Sequence, residues 1–460
     1  MQDSPRLRRA ILAAFVLLLA ILGVTTTLRY YKKTETPDRL GTYTRTAFLR
    51  WRNQVHDLHQ GVNIYKTHNY PNPPIMALVL TPFMALPPTA GSLVWLFAKM
   101  VMAGAMAFWA FRLVAEPGSR YPLYGALAAC LLSLHPILGD LSHGNVNIFI
   151  AFLVFAALEC FRRRWDYPAG LMLSFAIACK ITPALFLPYF GWKMTWSAWQ
   201  AYREKRSIIA EAWNGGGKVL AAMLVGLGLW LVIIPGAALG FQRNNELLES
   251  WFDTMAKPFL VEGIVTSEHA NQSIPGIVHR LFTNNPSTIT WDEENQPISS
   301  KFHTITDLGP KVAKWIVQVC QLAWVLGVLL LCRQAVAGPL GKRQGVALAA
   351  ECAFVMLGML LFSERTWKHH ATTLILPFAV IVYTMLRRET SERMTWFLTF
   401  ICGTALLLMF GPGAFPEKWQ DEALAYGTHT WAFVLLTIAI AVILFSRDPK
   451  GSDLERSPSG

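Results

Sequence analysis

Charge is what this sequence has least of: only 15% of its 460 residues are Asp, Glu, Lys or Arg, where a soluble domain carries about 25%. That deficit excludes an ordinary water-facing globular surface. Acidic residues are the scarcer sign, 29 against 41 basic ones, for a formal charge of +12. The basic excess falls in short clusters between apolar runs and not along one polar face, so it describes membrane topology and gives no reason to expect nucleic acid as a partner. Paired cysteines are absent as well. Cys130, Cys160, Cys179, Cys320, Cys332, Cys352 and Cys402 all lie inside or at the ends of apolar runs, which implies neither a disulfide framework nor a zinc site. Long polar stretches are missing too. The longest, Arg29–Asn72 and Gln242–Leu308, leave no room for a separate soluble domain, and one transmembrane domain over residues 1–460 is the simplest organisation.

Apolar runs of a length that can cross a hydrocarbon core, about 20 residues as a helix, fill most of the remaining chain. The first, Ile11–Leu28, follows Arg6, Arg8 and Arg9 and has no small-residue cleavage site after it, so it reads as an uncleaved span. Further basic clusters occur at Arg112–Arg120, Arg162–Arg164, Lys193–Lys218, Arg333–Arg343, Arg387–Arg393 and from Arg447 onward. Placing them all on the cytoplasmic side puts both termini there, with a tail at 447–460. The crossings then lie near 10–28, 90–111, 121–138, 147–161, 217–239, 313–332, 344–362, 371–386, 394–411 and 430–446. Residues 167–191 do not fit a single crossing, because both flanking clusters are on the same side. Lys180-Ile181-Thr182-Pro183 interrupts this apolar stretch, and two short helices that enter and return satisfy the constraint if protein or a wet cavity satisfies the freed backbone groups. Residues 73–88, rich in proline, read as a similar partial element. The expected fold is an all-α polytopic membrane protein with about ten to twelve helices, some broken or re-entrant. Tyr43, Ala47, Trp51, Val55 and Leu58 recur at helical spacing, with Arg45, Arg52, Asn53 and His56 between them; they predict a juxtamembrane helix in the first outer loop.

The unusual polar residues collect in the loops opposite the basic clusters. Gly61-Val62-Asn63-Ile64-Tyr65 leads through Asn69 and Tyr70 to Pro71-Asn72-Pro73-Pro74, a stiff connection whose plain reading is a helix entry with proline in its first turn. Asp140, His143, Gly144, Asn145 and Asn147 precede and open a span. Free backbone N–H groups there favour an anion, although Asn and Gly are also ordinary helix caps. Lys180 is a stronger signal, since an ionisable group between two apolar halves is costly and usually functional; the alternative is a lysine snorkelling to the interface. Lys99 and Glu351 also fall inside apolar runs, and are expected as a cavity cation and a structural partner. Glu268-His269-Ala270-Asn271-Gln272-Ser273 with Arg280 offers two-sided hydrogen bonding suited to a sugar, or merely a solvated loop. Ser363-Glu364-Arg365-Thr366-Trp367-Lys368-His369-His370 packs cations, a carboxylate, an indole and two imidazoles into one turn. Adjacent histidines point to different sides of a helix and no further ligands accompany them, so phosphate binding or proton transfer fits better than a metal.

Taken in order, these motifs resemble glycosyltransferase family 87, the polyprenyl-phosphate-mannose-dependent mannosyltransferases of the GT-C superfamily, over about residues 10–410. The matching features are Gly61–Tyr65 with Tyr70–Pro74, Gly144-Asn145 to Asn147, Lys180 with Pro183, Asn271-Gln272-Ser273 with Arg280, and Trp367 with His369-His370. The resemblance implies a GT-C-like fold and transfer of a hexose, mannose first, from polyprenyl phosphate to a lipid or glycan hydroxyl on the extracytoplasmic side of the cell membrane. It further implies inversion, and no metal or nucleotide cofactor. His143, Asn145, Asn147, Lys180, Asn271, Gln272, Ser273, Arg280, Arg365, His369 and His370 become candidates for holding donor phosphate or sugar. A carboxylate base would take the acceptor proton. The sequence departs from the family here, since the stretch where an early aspartate is usual reads Thr46-Ala47-Phe48-Leu49-Arg50-Trp51. Asp57 is the nearest substitute and Asp140 the next, so Asp57→Asn is expected to abolish transfer. A transporter or flippase of a lipid-linked sugar is the competing class, but the unusual residues collect on one face and no inverted repeat is evident.

Overall fold

Hydrocarbon offers no partner to a backbone N–H or C=O, which leaves the helix as the main way to thread an apolar chain through it. The computed structural model describes residues 5–35, 46–68, 70–291, 297–338 and 342–446, and these are almost wholly helical apart from one antiparallel hairpin. Tyr43, Arg45, Asn69 and the 447–460 tail lie outside the described residues. In chain order the elements are α1 (Pro5–Glu35), α2 (Ala47–His59), α3 (Ile64–Thr67), α4 (Pro74–Met84), α5 (Pro88–Val114), α6 (Leu123–His143), α7 (Asn147–Arg162), α8 (Asp166–Cys179) and α9 (Phe186–Arg203). They continue with α10 (Ile208–Leu239), α11 (Phe241–Trp251), α12 (Ile274–Phe282), β1 (Thr288–Trp291), β2 (Pro297–Lys301), α13 (Gly309–Leu331), α14 (Val346–Leu361), α15 (Lys368–Leu386), α16 (Glu392–Phe410), α17 (Glu417–Ala425) and α18 (Thr428–Phe445). Among them α1, α5, α6, α10, α13, α15, α16 and α18 are the 8 long and apolar enough to cross a membrane, and α4, α8 and α14 are shorter apolar helices. The protein is a multi-pass, all-α membrane protein.

The bundle has two distinct ends. At one, the basic clusters meet one another: Arg112, Arg162 and Arg163 surround Glu159 at 3.2, 2.7 and 2.6 Å, Arg343 pairs with Asp166, and Arg387 reaches Glu116 at 3.2 Å. At the other end stand the loops singled out for their polar residues. α1 arrives there with Lys33 bonded to the Ser142 carbonyl at 3.2 Å, and α18 leaves from there with the His429 N–H bonded to Gln272 at 3.1 Å. α14 is buried along its whole length, and α7 and α15 nearly so. The outer helices instead expose apolar side chains, Val16 and Leu17 on α1, Val319 and Leu322 on α13, Phe400 and Leu407 on α16, the surface a bilayer would cover.

The broken element at 167–191 is present, with a longer second arm than its sequence suggested. α8 runs from the basic end to Cys179, the chain turns at Lys180-Ile181, and a 3-10 turn at Thr182–Leu185 leads into α9, which continues to Arg203. Lys193 does not end this arm because it is fully buried against Glu351 at 2.8 Å, and Tyr189 donates to the same carboxylate at 2.9 Å. α10 likewise starts earlier than expected, at Ile208, through a π-turn at Trp213–Gly217.

α8 is held by close contact with α10. Gly170 and Ser174 are four residues apart on one helix, and face Ala222 and Gly226, also four apart, on the other; small residues at this spacing let helix backbones approach in a membrane. A Cβ on Gly170 would stand 2.4 Å from the Val219 carbonyl oxygen, a backbone atom that cannot swing away. Gly170→Leu should therefore destabilise the bundle by about 1–3 kcal/mol or more through overpacking. A thermal melt of the detergent-solubilised protein checks this, and an unchanged melt would show that the contact is dispensable.

Candidate active site

The juxtamembrane helix α2 is capped by Thr46, whose hydroxyl accepts from the Leu49 N–H at 3.3 Å. Its apolar stripe, Ala47, Trp51, Val55 and Leu58, is buried against the protein. That leaves Arg50 and Gln54, also four residues apart, to line a cavity of about 870 Å³. The cavity wall continues through Thr67, His68 and Pro71–Pro73, crosses to Asn145 and Lys180–Thr182, and is completed by Ser363–Arg365, Trp367 and His370. Trp251, Met255, Phe259, Ile181, Leu185, Met359 and Phe362 make an apolar flank. Among the described residues, Arg50, Lys180 and Arg365 face Glu364 as the one carboxylate on this wall, so the chamber attracts an anion, and the apolar flank suits one carried on a lipid chain.

A buried relay fixes Lys180. α6 ends on Gly144 in the left-handed region, φ 72°, where a Cβ would meet the Tyr30 hydroxyl at 2.7 Å; the chain therefore reverses tightly into α7. The reversal brings Asp140 back over the α7 N-terminus, where it accepts from the Asn147 side chain at 2.9 Å and the Ile148 N–H at 3.4 Å. Lys99, from α5, neutralises Asp140 at 3.2 Å and donates to the carbonyls of Asp140 at 2.9 Å and Asn145 at 3.0 Å. Asn147, its amide orientation thus set, accepts from Lys180 Nζ at 2.6 Å. Lys99 and Asp140 are both fully buried and neither lines the cavity, so Lys99 is the partner of Asp140 and not the cavity cation its position in the sequence suggested.

The 363–370 turn supplies Arg365 and His370 to the wall. Arg365 donates to the Thr266 hydroxyl at 2.8 Å, and its guanidinium lies 5.9 Å from the Trp367 ring centre. His370 stacks on Trp367, centres 6.0 Å apart, with Nδ1 at 3.2 Å from the Arg365 carbonyl. A carbonyl only accepts, so Nδ1 carries the hydrogen and Nε2 is the free nitrogen. His369 turns the other way, stacking on His143 at 4.2 Å and standing 3.4 Å from the Asn145 amide. Both sit behind the wall, although the sequence offered them as ligand contacts. Among the described residues no group of three or more His, Cys, Asp or Glu side chains is placed to hold a metal ion.

The Asn271-Gln272-Ser273 motif and Arg280, expected to face the sugar, are instead consumed by backbone partners. Asn271 bridges the Thr266 and Glu364 carbonyls at 2.8 and 2.9 Å and receives the Thr366 N–H at 2.9 Å. Gln272 donates to the His269 and Leu424 carbonyls at 2.7 and 2.8 Å, and Ser273 caps α12 through the Gly276 N–H at 3.1 Å. Arg280, with no solvent exposure, reaches the carbonyls of Ala425, Glu268 and Asn271 at 2.6, 2.8 and 3.1 Å, and burial pushes its guanidinium down to about 10. These four residues line no part of the cavity; they lock the 266–273 loop to the 364–366 turn and to the end of α17, and so hold Arg365 and Trp367 in place.

Asp57 also stands behind the wall, its carboxylate 2.7 Å from His68 Nε2. His68, Arg50 and Gln54 escaped the reading of the sequence. Spacing on the polar face of α2 signals the last two, and for His68 no local pattern does. Trp251, Met255 and Phe259 were missed as well, though their four-residue spacing marks one helical face. Two wall residues carry a buried polar atom with no partner among the described residues: Gln54 Oε1 and Trp367 Nε1. Such atoms are costly unless a ligand or water meets them.

Known proteins resemble this chain in sequence. The model of glycosyltransferase family 87 matches residues 70–204, the segment that carries Asn72, Asn145, Asn147 and Lys180. A polyprenol-phosphate-mannose-dependent alpha-(1-2)-phosphatidylinositol mannoside mannosyltransferase of Mycolicibacterium smegmatis is 26% identical over 400 residues, covering 82% of this chain and 77% of that protein. The protein of the same name from Mycobacterium tuberculosis is 36% identical over 142 residues, 28% of this chain and 32% of the relative.

Proposed function

We propose that this chain belongs to glycosyltransferase family 87 and moves a mannosyl group from polyprenyl phosphate to a hydroxyl of a lipid-borne glycan by a single inverting displacement. The observation that carries the reading is the amphiphilic cavity itself, which sets Lys180, Arg365 and His370 beside an apolar flank. Lys180, Arg365 and Asn145 hold the donor phosphate, and His370 accepts from a hydroxyl of the donor sugar through Nε2; Ile181, Leu185 and Phe362 take the first isoprene units. As the C1–O bond of the sugar breaks, the phosphodiester becomes a monoester with a second negative charge, and fixed cations stabilise that charge as it develops. The relatives' names give phosphatidylinositol mannoside as their acceptor, and a mannose-bearing lipid of that class is the acceptor assigned here.

Charge supports an extracytoplasmic site. Arg112, Arg162, Arg343 and Arg387 gather at the end of the bundle away from the cavity, and the positive-inside rule assigns that end to the cytoplasm. The testing experiment incubates purified protein with polyprenyl-phosphate-mannose and a panel of mannosylated phospholipids. Polyprenyl phosphate should be released in step with a mannosylated product. Movement of the donor across a vesicle membrane without either product would replace the transferase reading by a flippase. Cysteines introduced at Thr67 and Arg120 should be modified by an impermeant thiol reagent from the outer and the inner side respectively, and the reverse pattern would overturn the orientation.

A further inference from the structure

The usual aspartate is absent from the start of α2, so the group that takes the acceptor proton has to come from elsewhere on the wall. Asp140 is fully buried in its ion pair with Lys99, and Asp57 is screened from the cavity by His68. Glu364 does face the cavity, but it accepts from the Thr266 hydroxyl at 2.8 Å and stands 3.7 Å from Arg365, in the turn assigned to the donor. His370 lies in the same turn beside Lys180.

His68 is differently placed. It follows α3, its N–H closing the helix on the Ile64 carbonyl at 3.1 Å, and its ring lines the cavity between Thr67 and Pro71. Nε2 is 2.7 Å from Asp57 Oδ2. A carboxylate can only accept, so Nε2 carries the hydrogen and Nδ1 keeps a basic lone pair. The same part of the wall holds Asn72, 4% exposed, whose amide reaches the Tyr70 hydroxyl, and Gln54, whose Oε1 has no partner among the described residues. An amide oxygen without a partner, beside an imidazole held by a carboxylate, is what a hydroxyl-bearing acceptor would satisfy.

We propose that His68 is the proton acceptor for the incoming hydroxyl, with Asp57 as the positioning residue that fixes its tautomer; this rests on the transferase reading above. The hydroxyl proton passes to Nδ1 while an oxygen lone pair forms the bond to C1 of the mannose. The C1–O bond to phosphate breaks with its electron pair, which leaves on polyprenyl phosphate, and the imidazolium is balanced by Asp57 until it returns its proton to water. Gln54 orients the acceptor.

The test uses purified full-length protein with polyprenyl-phosphate-mannose and whichever mannosylated phospholipid the wild type accepts. His68→Gln should lower kcat by about 10²-fold or more with the donor KM little changed, and Asp57→Asn should lower it less, with Asp57→Glu recovering much of the loss. Free imidazole should restore turnover to His68→Gly but not to Lys180→Met, a readout that a collapsed loop would not produce. Full kcat in folded His68→Gln, or a loss in His68→Gly that imidazole leaves untouched, overturns the assignment and leaves the transferase reading standing. A wild-type protein that releases no polyprenyl phosphate overturns both.

Discussion

Lys180→Met should lower kcat/KM for transfer by about 10²–10³-fold, the range seen when one fixed donor is taken from a developing anion, while the protein still folds. Nζ has a single protein bond among the described residues, to Asn147 at 2.6 Å, so its loss leaves one amide oxygen to be met by water in a wall that is already polar. Its value lies in the charge it offers to the departing phosphate. A cation about 4 Å from that charge interacts by roughly 4 kcal/mol at an effective dielectric of 20, and the expected rate loss fits within that figure. Arg365→Met should cost less, because this side chain is 44% exposed and water screens its charge. The ranking, Lys180 well above Arg365, is checked by steady-state kinetics on both variants beside the wild type. Equal losses would place the phosphate nearer the 363–370 turn than to the α8 end, and no loss in Lys180→Met would remove the electrostatic basis of the mechanism.

What the sequence disclosed and what it withheld divide along one physical line. Helices, their approximate limits and the break at Lys180 follow from local composition, and local composition is legible. Lys193 misled because its charge marks a loop only when unpaired, and its partner Glu351 is far along the chain. Asn271, Gln272 and Arg280 were recognisable as important but not as structural. Whether a polar side chain serves a ligand or a carbonyl depends on which backbone groups the fold leaves unsatisfied, and Arg280 finds those in residues 267–271 and 424–425, brought together only by packing. His68 shows the converse. Its sequence neighbourhood is ordinary, and its candidacy comes from Asp57 on another element and from the unpartnered Gln54 amide oxygen beside it. His369 and His370, read together as a pair, part because one faces α6 and the other the cavity, as adjacent residues on a helical turn do.

The Lys99–Asp140 pair should prove the most sensitive point of the fold, and its response to substitution separates two roles for Asp140. Both side chains are fully buried, so Asp140→Asn leaves an ammonium in a dry interior without its counter-charge, at a cost of about 3–5 kcal/mol. The same change weakens the hold on the α7 N-terminus. Folded yield and melting temperature in detergent should fall sharply, and total donor turnover should fall with them because less of the protein keeps the α6–α7 end that positions Lys180. Adding Lys99→Met removes the stranded charge, and since replacing a buried pair by apolar groups is often close to neutral, the double variant should melt higher than Asp140→Asn alone. The amide oxygen introduced at position 140 can still accept from the Asn147 side chain, so turnover should return in part. A different pattern is expected if Asp140 itself takes the acceptor proton. Asp140→Asn would then melt like the wild type, lose kcat alone, and gain nothing from the second substitution, and the proton would have to be reassigned from His68 to the α6 end.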